Sequence, residues 1–292
     1  MSNTHHSLPN LKGKPYGGAW SIRDDLTQKA VDAFVYTRTD HIKFCLDYKE
    51  WFTKGHALNG VDSYQHVCFT NGTTETFDKF YHRHFGKRLR LYKGEYFYHQ
   101  IMSRFYKEFA WVGDDPITTG DALVVSCPFS DTGDVPEGLE SILQQCDDAG
   151  VPVCVDLAYI NISKPLNIDL SHKCIEDITT SLSKMFPVEH HRIGIRLQRT
   201  LIDDSLYAYN NNGYVNHYSV SMGQWMIEQF DNDYIVKNYE KLQKEYCEKL
   251  NVRQSGCVIF GIDTNNQYNE YNRGATSNRL CFSRTWDRRI DV

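Results

Sequence analysis

Short hydrophobic runs alternate with longer amphipathic stretches through the middle of the chain. Five of the runs are rich in aliphatic and β-branched residues, which is typical of strands buried on both faces of a sheet. Their short lengths also fit strands rather than helices. The predicted strands are His66–Thr70, Ala122–Ser126, Val151–Leu157, Ile178–Ser183 and Ile193–Leu197.

Two of the stretches between these runs have the spacing of amphipathic helices. Three aromatic residues of Thr73–Phe85 share one helical face. A second helix is predicted to begin at Asp134, where an acidic residue and Pro136 fit a first turn, and to end near Gly150. Strands separated by helix-length segments predict a mostly parallel sheet with helices on both faces, a three-layer α/β/α domain.

Ligands of such sheets bind outside the carboxyl ends of the strands. Gly72, Asp156 and Lys184 each follow a predicted strand. We therefore expect these three residues to meet at one edge of the sheet.

The pattern changes after residue 200. Tyr207–Tyr214 is predicted to be a polar loop, and Val220–Leu250 to form two helices that meet near Asp231. Cys257–Ile262 and Leu280–Ser283 are predicted strands. Together they indicate a smaller α+β unit. The predicted division is an N-terminal arm or part of the small domain over 1–45, a large domain over 46–205 and a small domain over 206–292.

Composition and charge argue against several classes of protein. The net charge is −5 and no polybasic segment occurs, so a nucleic-acid partner is not expected. No apolar run approaches the roughly 20 residues that span a membrane. The first residues lack the pattern of a secretory signal, and the nine cysteines form no C-x-x-C pair. We therefore expect a cytoplasmic protein with reduced thiols and no metal site, and interpret His5 and His6 as a solvated tail.

Candidate chemistry begins at Ser181-Leu182-Ser183-Lys184, which is followed eight residues later by Arg192. A lysine behind small hydroxyl residues, with an arginine at fixed distance, is typical of a pyridoxal phosphate (PLP) site. The lysine would hold the aldehyde as a Schiff base and the arginine would hold the phosphate. Taken alone, the segment fits a solvated lysine in a polar loop equally well.

Two other segments supply the remaining parts of such a site. Gly72 with Thr73 and Thr74 forms a turn that opens a helix, where backbone N–H groups favour a phosphate. Asp156 ends a buried strand, where a carboxylate needs a partner such as a pyridinium N–H. Tyr159 follows within reach of the ring's phenolic oxygen. Each segment also has a simpler interpretation, as a helix cap or a loop cap.

In chain order, these segments resemble the fold-type I PLP enzymes, specifically the class I/II aminotransferases of the aspartate aminotransferase superfamily. The resemblance covers about residues 65 to 200 and one later segment, and it indicates a short, divergent member. Its motifs are Asn71-Gly72-Thr73-Thr74, Gly94-Glu95-Tyr96-Phe97-Tyr98-His99, Cys127-Pro128-Phe129-Ser130-Asp131-Thr132-Gly133, Asp156-Leu157-Ala158-Tyr159, Ser181-Leu182-Ser183-Lys184, Arg192-Ile193-Gly194 and Arg279-Leu280-Cys281-Phe282-Ser283.

The resemblance implies a role for each site residue. Lys184 forms the Schiff base and moves the proton, Asp156 holds the ring nitrogen protonated, and Tyr159 contacts the phenolic oxygen. Arg279 binds the substrate α-carboxylate. Tyr96 stacks on the ring with His99 nearby. The phosphate ligands implied are Gly72, Thr73, Thr74, Ser181 and Arg192.

The sequence also departs from the family pattern. Ser130 stands where the family has an asparagine facing the phenolic oxygen, and Asp131 replaces a proline. The chain is short, so we expect a reduced small domain. The segment with Tyr16, Gly17, Gly18 and Trp20 could line the substrate pocket, but a surface arm is the favoured interpretation.

The resemblance implies an aminotransferase that uses an amino acid and a 2-oxo acid in a ping-pong cycle through pyridoxamine phosphate. It also implies a homodimer with shared active sites, for which Tyr36 is a candidate contributor. A PLP-dependent decarboxylase, lyase or racemase remains open, because the motifs define the cofactor rather than the reaction. A non-catalytic protein on the same scaffold is a third possibility.

Overall fold

The structure is a computed structural model that describes residues 10–286. His5 and His6 lie outside the described residues. Eight α-helices occur in the described range. They are α1 (Asp25–Asp32), α2 (His41–Thr53), α3 (Thr73–Arg83), α4 (Phe97–Met102), α5 (Leu139–Ala149), α6 (Ser205–Asn211), α7 (His217–Gln229) and α8 (Tyr234–Leu250).

Twelve strands occur in the same range. They are β1 (Ala57–Asn59), β2 (His66–Thr70), β3 (Arg88–Leu91), β4 (Phe109–Trp111), β5 (Asp121–Ser126), β6 (Val153–Asp156), β7 (Asn167–Asp169), β8 (Ile175–Ser181), β9 (Gly194–Gln198), β10 (Arg253–Gln254), β11 (Phe260–Asp263) and β12 (Asn278–Cys281). All five strands predicted from hydrophobic runs are confirmed, with small shifts of their ends.

A seven-stranded sheet forms the centre of the molecule, in the order β2-β9-β8-β6-β5-β3-β4. Only β9 runs antiparallel to its neighbours, and the other pairs are parallel. The side chains of β5 alternate between two hydrophobic clusters. Ala122 and Val124 pack with Phe77 of α3, whereas Leu123 and Val125 lie in the cluster that includes α5. Helices therefore cover both faces, and the predicted three-layer α/β/α architecture is confirmed.

A second, antiparallel sheet of β10, β11 and β12 lies next to α8. The N-terminal segment joins this sheet, because the Cys281 N–H donates to the Tyr16 carbonyl at 3.0 Å. Helix α7 packs on α2, and α6 packs on β2. The division of the chain at residues 45 and 205 stays a prediction.

Two local predictions were wrong. The polar segment Tyr207–Tyr214 is helical up to Asn211, because Asp204 caps α6 and Asn210 bonds both backbone groups of Phe69 on the edge strand β2. Helix α5 begins at Leu139 rather than at Asp134. The Asp134 carboxylate instead accepts from the Gly256 N–H at 2.7 Å, which ties this loop to the smaller sheet.

All nine cysteines lie within the described residues, are buried, and form no disulfide. Across residues 10–286, every helix is too short or too polar to cross a membrane.

Candidate active site

A cavity of about 800 Å³ opens at the carboxyl edge of the central sheet. Its walls come from the ends of β6 and β8, the start of α3, the N-terminal segment and the region around β12. Nine predicted site residues line it: Thr73, Thr74, Tyr96, Asp156, Tyr159, Ser181, Lys184, Arg192 and Arg279. Gly72 and Ser130 lie behind this lining and contact residues that belong to it.

Lys184 ends a short 3₁₀ turn directly after β8. Its Nζ donates to the carbonyl of Ala19 at 2.7 Å and lies 5.9 Å from the centroid of the Tyr159 ring. Burial lowers the pKa of Lys184 to about 8. About a tenth of the Lys184 side chains are therefore the neutral, nucleophilic amine at pH 7, far more than for an exposed lysine.

Asp156 is the last residue of β6 and is almost fully buried. Its Oδ1 accepts from the Ala158 N–H at 2.9 Å. Burial, with a smaller contribution from the charge of Glu95, raises the pKa of Asp156 to about 7, whereas the Ala158 N–H and Lys184 act in the opposite direction. A carboxylate in this position would be stabilised by a cationic N–H group from a ligand.

His99 lies behind Asp156, with its Nε2 4.0 Å from Asp156 Oδ2. Its Nδ1 is 2.5 Å from the Tyr81 hydroxyl oxygen. Burial lowers the pKa of His99 to about 3, so the ring is neutral at physiological pH. If the tyrosine hydroxyl donates to Nδ1, the remaining ring proton sits on Nε2 and faces the carboxylate.

A cradle for an oxyanion lies where α3 begins. Gly72 occupies the N-cap position with φ +81°, and Thr73 and Thr74 form the first turn. Arg192 donates from Nη2 to the Thr74 hydroxyl at 3.2 Å and from Nη1 to the Glu189 carbonyl at 3.3 Å. A helix N-terminus beside a guanidinium is suited to a phosphate dianion.

We expect Gly72→Ala to weaken PLP binding about tenfold, because it displaces one charge-assisted contact. The new Cβ would overlap the Arg192 guanidinium, lying 2.8 Å from its Cζ, and would push that flexible side chain out of the cradle. Gly55→Ala is the matched control, because Gly55 has a similar φ of +77° and open space around it.

The measurement is the dissociation constant for PLP, with a thermal melt of each apoprotein. Both variants should lose stability from backbone strain, roughly 1–3 kcal/mol each. Equal PLP affinity in the two variants would contradict the assignment of Arg192 to the phosphate.

Tyr96 forms an aromatic wall of the cavity and is held by the residue before it. The buried Glu95 carboxylate accepts from the backbone N–H groups of Tyr96, at 2.7 Å, and Ser126, at 2.9 Å. Tyr159 lies on another wall and packs edge-on against Phe260, with ring centroids 5.2 Å apart. The supporting role of Glu95 has no signal in the sequence beyond its place in the aromatic segment.

Arg279 on β12 is buried, with its guanidinium 4.5 Å from the centroid of the Phe260 ring. Its Nη1 donates to the Ser130 carbonyl at 2.6 Å. Two further arginines line the same cavity, Arg273 and Arg284, and sequence reasoning missed both. They come from irregular segments with no periodic pattern, so nothing in the local sequence separates them from surface arginines.

The N-terminal segment was interpreted as a surface arm, and that interpretation was wrong. Gly17, Gly18, Ala19 and Trp20 line the cavity. The Trp20 N–H donates to the Ser283 hydroxyl at 3.1 Å, and its ring lies 4.6 Å below the Arg284 guanidinium. The segment is held in place by long-range contacts that local spacing does not encode.

No protein-family model matches the sequence, and no curated protein matches it significantly. Solved structures do resemble the fold. The PLP-bound C-S lyase from Staphylococcus hominis has a TM-score of 0.67 and 12% identity, over 98% of this chain and 93% of that one. The N-succinyldiaminopimelate aminotransferase from Mycobacterium tuberculosis has a TM-score of 0.64 and 15% identity, over 92% and 88%.

The aspartate aminotransferase from Thermus thermophilus, with maleate, has a TM-score of 0.63 and 14% identity, over 91% of this chain and 86% of that one. Enzymes of different chemistry therefore share this architecture. The chain has the fold of the fold-type I PLP enzymes, the class predicted from its motifs.

Proposed function

We propose that this protein is a PLP-dependent aminotransferase. The observation that carries the proposal is the convergence of Lys184, Asp156 and Arg192 on one cavity, with Arg279 on the same lining. The polar groups of this cavity fit PLP. They offer a buried carboxylate to the ring nitrogen, an amine to the aldehyde, and a helix N-terminus beside an arginine to the phosphate. PLP-bound structures share the fold.

When bound, PLP supplies an electron sink for negative charge that develops at the substrate α-carbon. Asp156 keeps a proton on the ring nitrogen, and neutral His99 stands behind it without adding a competing charge. Tyr159 and Tyr96 bound the space for the ring. Together these residues would hold the cofactor ring within reach of Lys184.

Lys184 would hold the aldehyde carbon and, as a free amine, would be the base that moves the α-proton of the substrate. Its lowered pKa suits both roles, because the amine must be neutral to attack and to accept a proton. Arg279 binds the α-carboxylate of the substrate through its planar fork. Its Nε has no hydrogen-bond partner among the described residues, so the guanidinium is not fully compensated by the protein itself.

The choice of transamination rests on the motif order, which resembles the class I/II aminotransferases, and two of the structures described above are aminotransferases. A β-eliminating lyase is the second candidate, because the Staphylococcus hominis C-S lyase matches over 93% of its length. Both reactions begin by removing the same α-proton. They differ in whether the amino group stays on the cofactor.

A single half-reaction separates the two candidates. PLP-loaded protein is mixed with individual amino acids without an oxo acid, and the absorbance of the cofactor is followed. An aminotransferase should convert the cofactor to the pyridoxamine form, and a 2-oxo acid should restore the original spectrum. Release of ammonia together with an oxo acid, with no lasting spectral change, would instead identify a lyase. Protein without amino acid is the control.

We also propose that the active form is a homodimer. The surface near the N-terminal helices carries exposed hydrophobic side chains, including Leu26, Val35, Tyr36, Ile42 and Leu46. Tyr36 is half exposed and stacks on Tyr218, with ring centroids 6.0 Å apart. An apolar surface of this kind is typical of subunit interfaces.

A further inference from the structure

Arg273 is a buried cation with unused hydrogen-bonding capacity at the cavity. It lies in the loop before β12 and is 8% exposed. Its Nη2 donates to the Ser130 hydroxyl at 3.4 Å, a long contact. Its Nε is 3.8 Å from Asp131 Oδ1 and has no hydrogen-bond partner among the described residues. The guanidinium therefore has donors to spare.

The charge of Arg273 is also poorly compensated. Burial, together with the neighbouring Arg279, lowers the pKa of Arg273 to about 10. Asp131 is its ion-pair partner, but burial raises the pKa of that carboxyl as well. An anionic oxygen from a ligand in the cavity would stabilise this cation.

The positions of Asp156, Lys184 and Arg192 indicate which oxygen of bound PLP would be the ligand of Arg273. On PLP the ring nitrogen lies opposite the carbon that bears the aldehyde, and the phosphate arm and the phenolic oxygen flank that carbon on opposite sides. With the nitrogen at Asp156, the aldehyde at Lys184 and the phosphate at Arg192, the phenolic oxygen points away from Arg192. Tyr159 was predicted to lie on that side.

Arg273 and Tyr159 line the same cavity, and the two groups interact electrostatically. Burial raises the pKa of the Tyr159 hydroxyl, and the charges of Arg279 and Arg273 both act against this increase. Arg273 also contacts Ser130, the residue at the position predicted to face the phenolic oxygen. Ser130 itself is fully buried behind the cavity lining, whereas Arg273 belongs to that lining.

We propose that Arg273 donates a charge-assisted hydrogen bond to the phenolic oxygen of bound PLP. Ser130 then serves as a positioning residue, which holds the guanidinium rather than the cofactor. This inference rests on the proposed PLP function and deepens it. A permanent cation at this oxygen stabilises the phenolate and opposes a proton on the neighbouring Schiff-base nitrogen, which lowers the pKa of that nitrogen.

The test is a pH titration of the visible absorbance of PLP-loaded protein, a readout that needs no substrate. Arg273→Met should raise the spectral pKa by about one unit or more, as expected for loss of a charge-assisted contact. Arg284→Met is the matched control, because Arg284 lines the same cavity but stacks on Trp20. It should shift the spectral pKa less than Arg273→Met does.

Two further variants extend the test, and the first of them keeps it decisive if Arg273→Met does not fold. Arg273→Lys retains the charge and should shift the spectral pKa less than Arg273→Met. The double variant Ser130→Asn with Arg273→Met offers an amide donor at the same place. It should move the spectral pKa at least partly back toward the wild-type value.

An unchanged spectral pKa in folded, PLP-loaded Arg273 variants would overturn this inference alone. If those variants instead bound the amino acid more weakly, Arg273 would be a ligand of a substrate carboxylate. A wild-type protein that binds no PLP would overturn the proposed function together with the inference. The two failures are therefore distinguishable.

Discussion

Lys184→Ala is expected to abolish the visible absorbance of covalently held PLP and to lower turnover by about 10²- to 10⁴-fold. The side chain is the amine that we place at the aldehyde carbon and the base that we place at the α-proton, and alanine supplies neither. The fold should survive, because Lys184 Nζ makes its hydrogen bond to a carbonyl of the N-terminal segment rather than within the sheet.

The measurement combines absorbance with borohydride reduction and peptide mass mapping of the wild-type protein. Reduction should fix the cofactor on the peptide that contains Lys184. Lys93→Ala is the control, because Lys93 is half exposed and pairs with Asp114 at 3.0 Å, away from the cavity. A cofactor found on another lysine, or a Lys184→Ala variant that keeps the visible band, would reject the assignment.

Asp156→Asn is expected to lower turnover by about 10²- to 10³-fold, because an amide cannot hold the ring nitrogen protonated as a carboxylate does. The substitution preserves the shape of the side chain, so the cavity should remain. PLP should still bind through Lys184 and the phosphate cradle. Wild-type turnover in the Asn variant would contradict the proposed role of Asp156.

The same variant should change how the stability of the apoprotein depends on pH. Folding raises the pKa of Asp156 from 3.8 to about 7, so the folded state binds more protons than the unfolded state between these values. The contribution of Asp156 to the free energy of unfolding is therefore greatest below pH 4 and is lost as the pH rises toward 7. The full loss is of the order of 4 kcal/mol.

Urea unfolding of wild-type and Asp156→Asn apoprotein between pH 4 and 8 measures this contribution as the difference between the two proteins. As the pH rises, the free energy of unfolding of the wild type should fall relative to that of the Asn variant. PLP should suppress the effect in the wild type, because the ring N–H then pairs with the carboxylate. A difference that does not vary with pH would mean that the buried carboxyl does not have a raised pKa.

Local patterns in the sequence predicted the sheet and several of its helices well. The runs at β5 and β6 carry hydrophobic residues on both faces because helices cover both faces of the sheet, so their burial could be predicted from the sequence. The prediction of a loop at Tyr207–Tyr214 was wrong because the contact that stabilises this helix is not local in sequence. There Asn210 bonds a distant edge strand, and no local pattern reports such a contact.

The sequence by itself determined the alternation of strands and helices and the order of Lys184, Asp156, Arg192 and Arg279 along the chain. Asp156 and Lys184 follow the parallel strands β6 and β8, whose carboxyl ends meet at one edge of the sheet, so their convergence could be predicted. Only the tertiary structure decided that Trp20 and Arg273 line the cavity and that Ser130 lies behind this lining. Those positions depend on how irregular segments far apart in sequence pack together, which spacing along the chain does not encode.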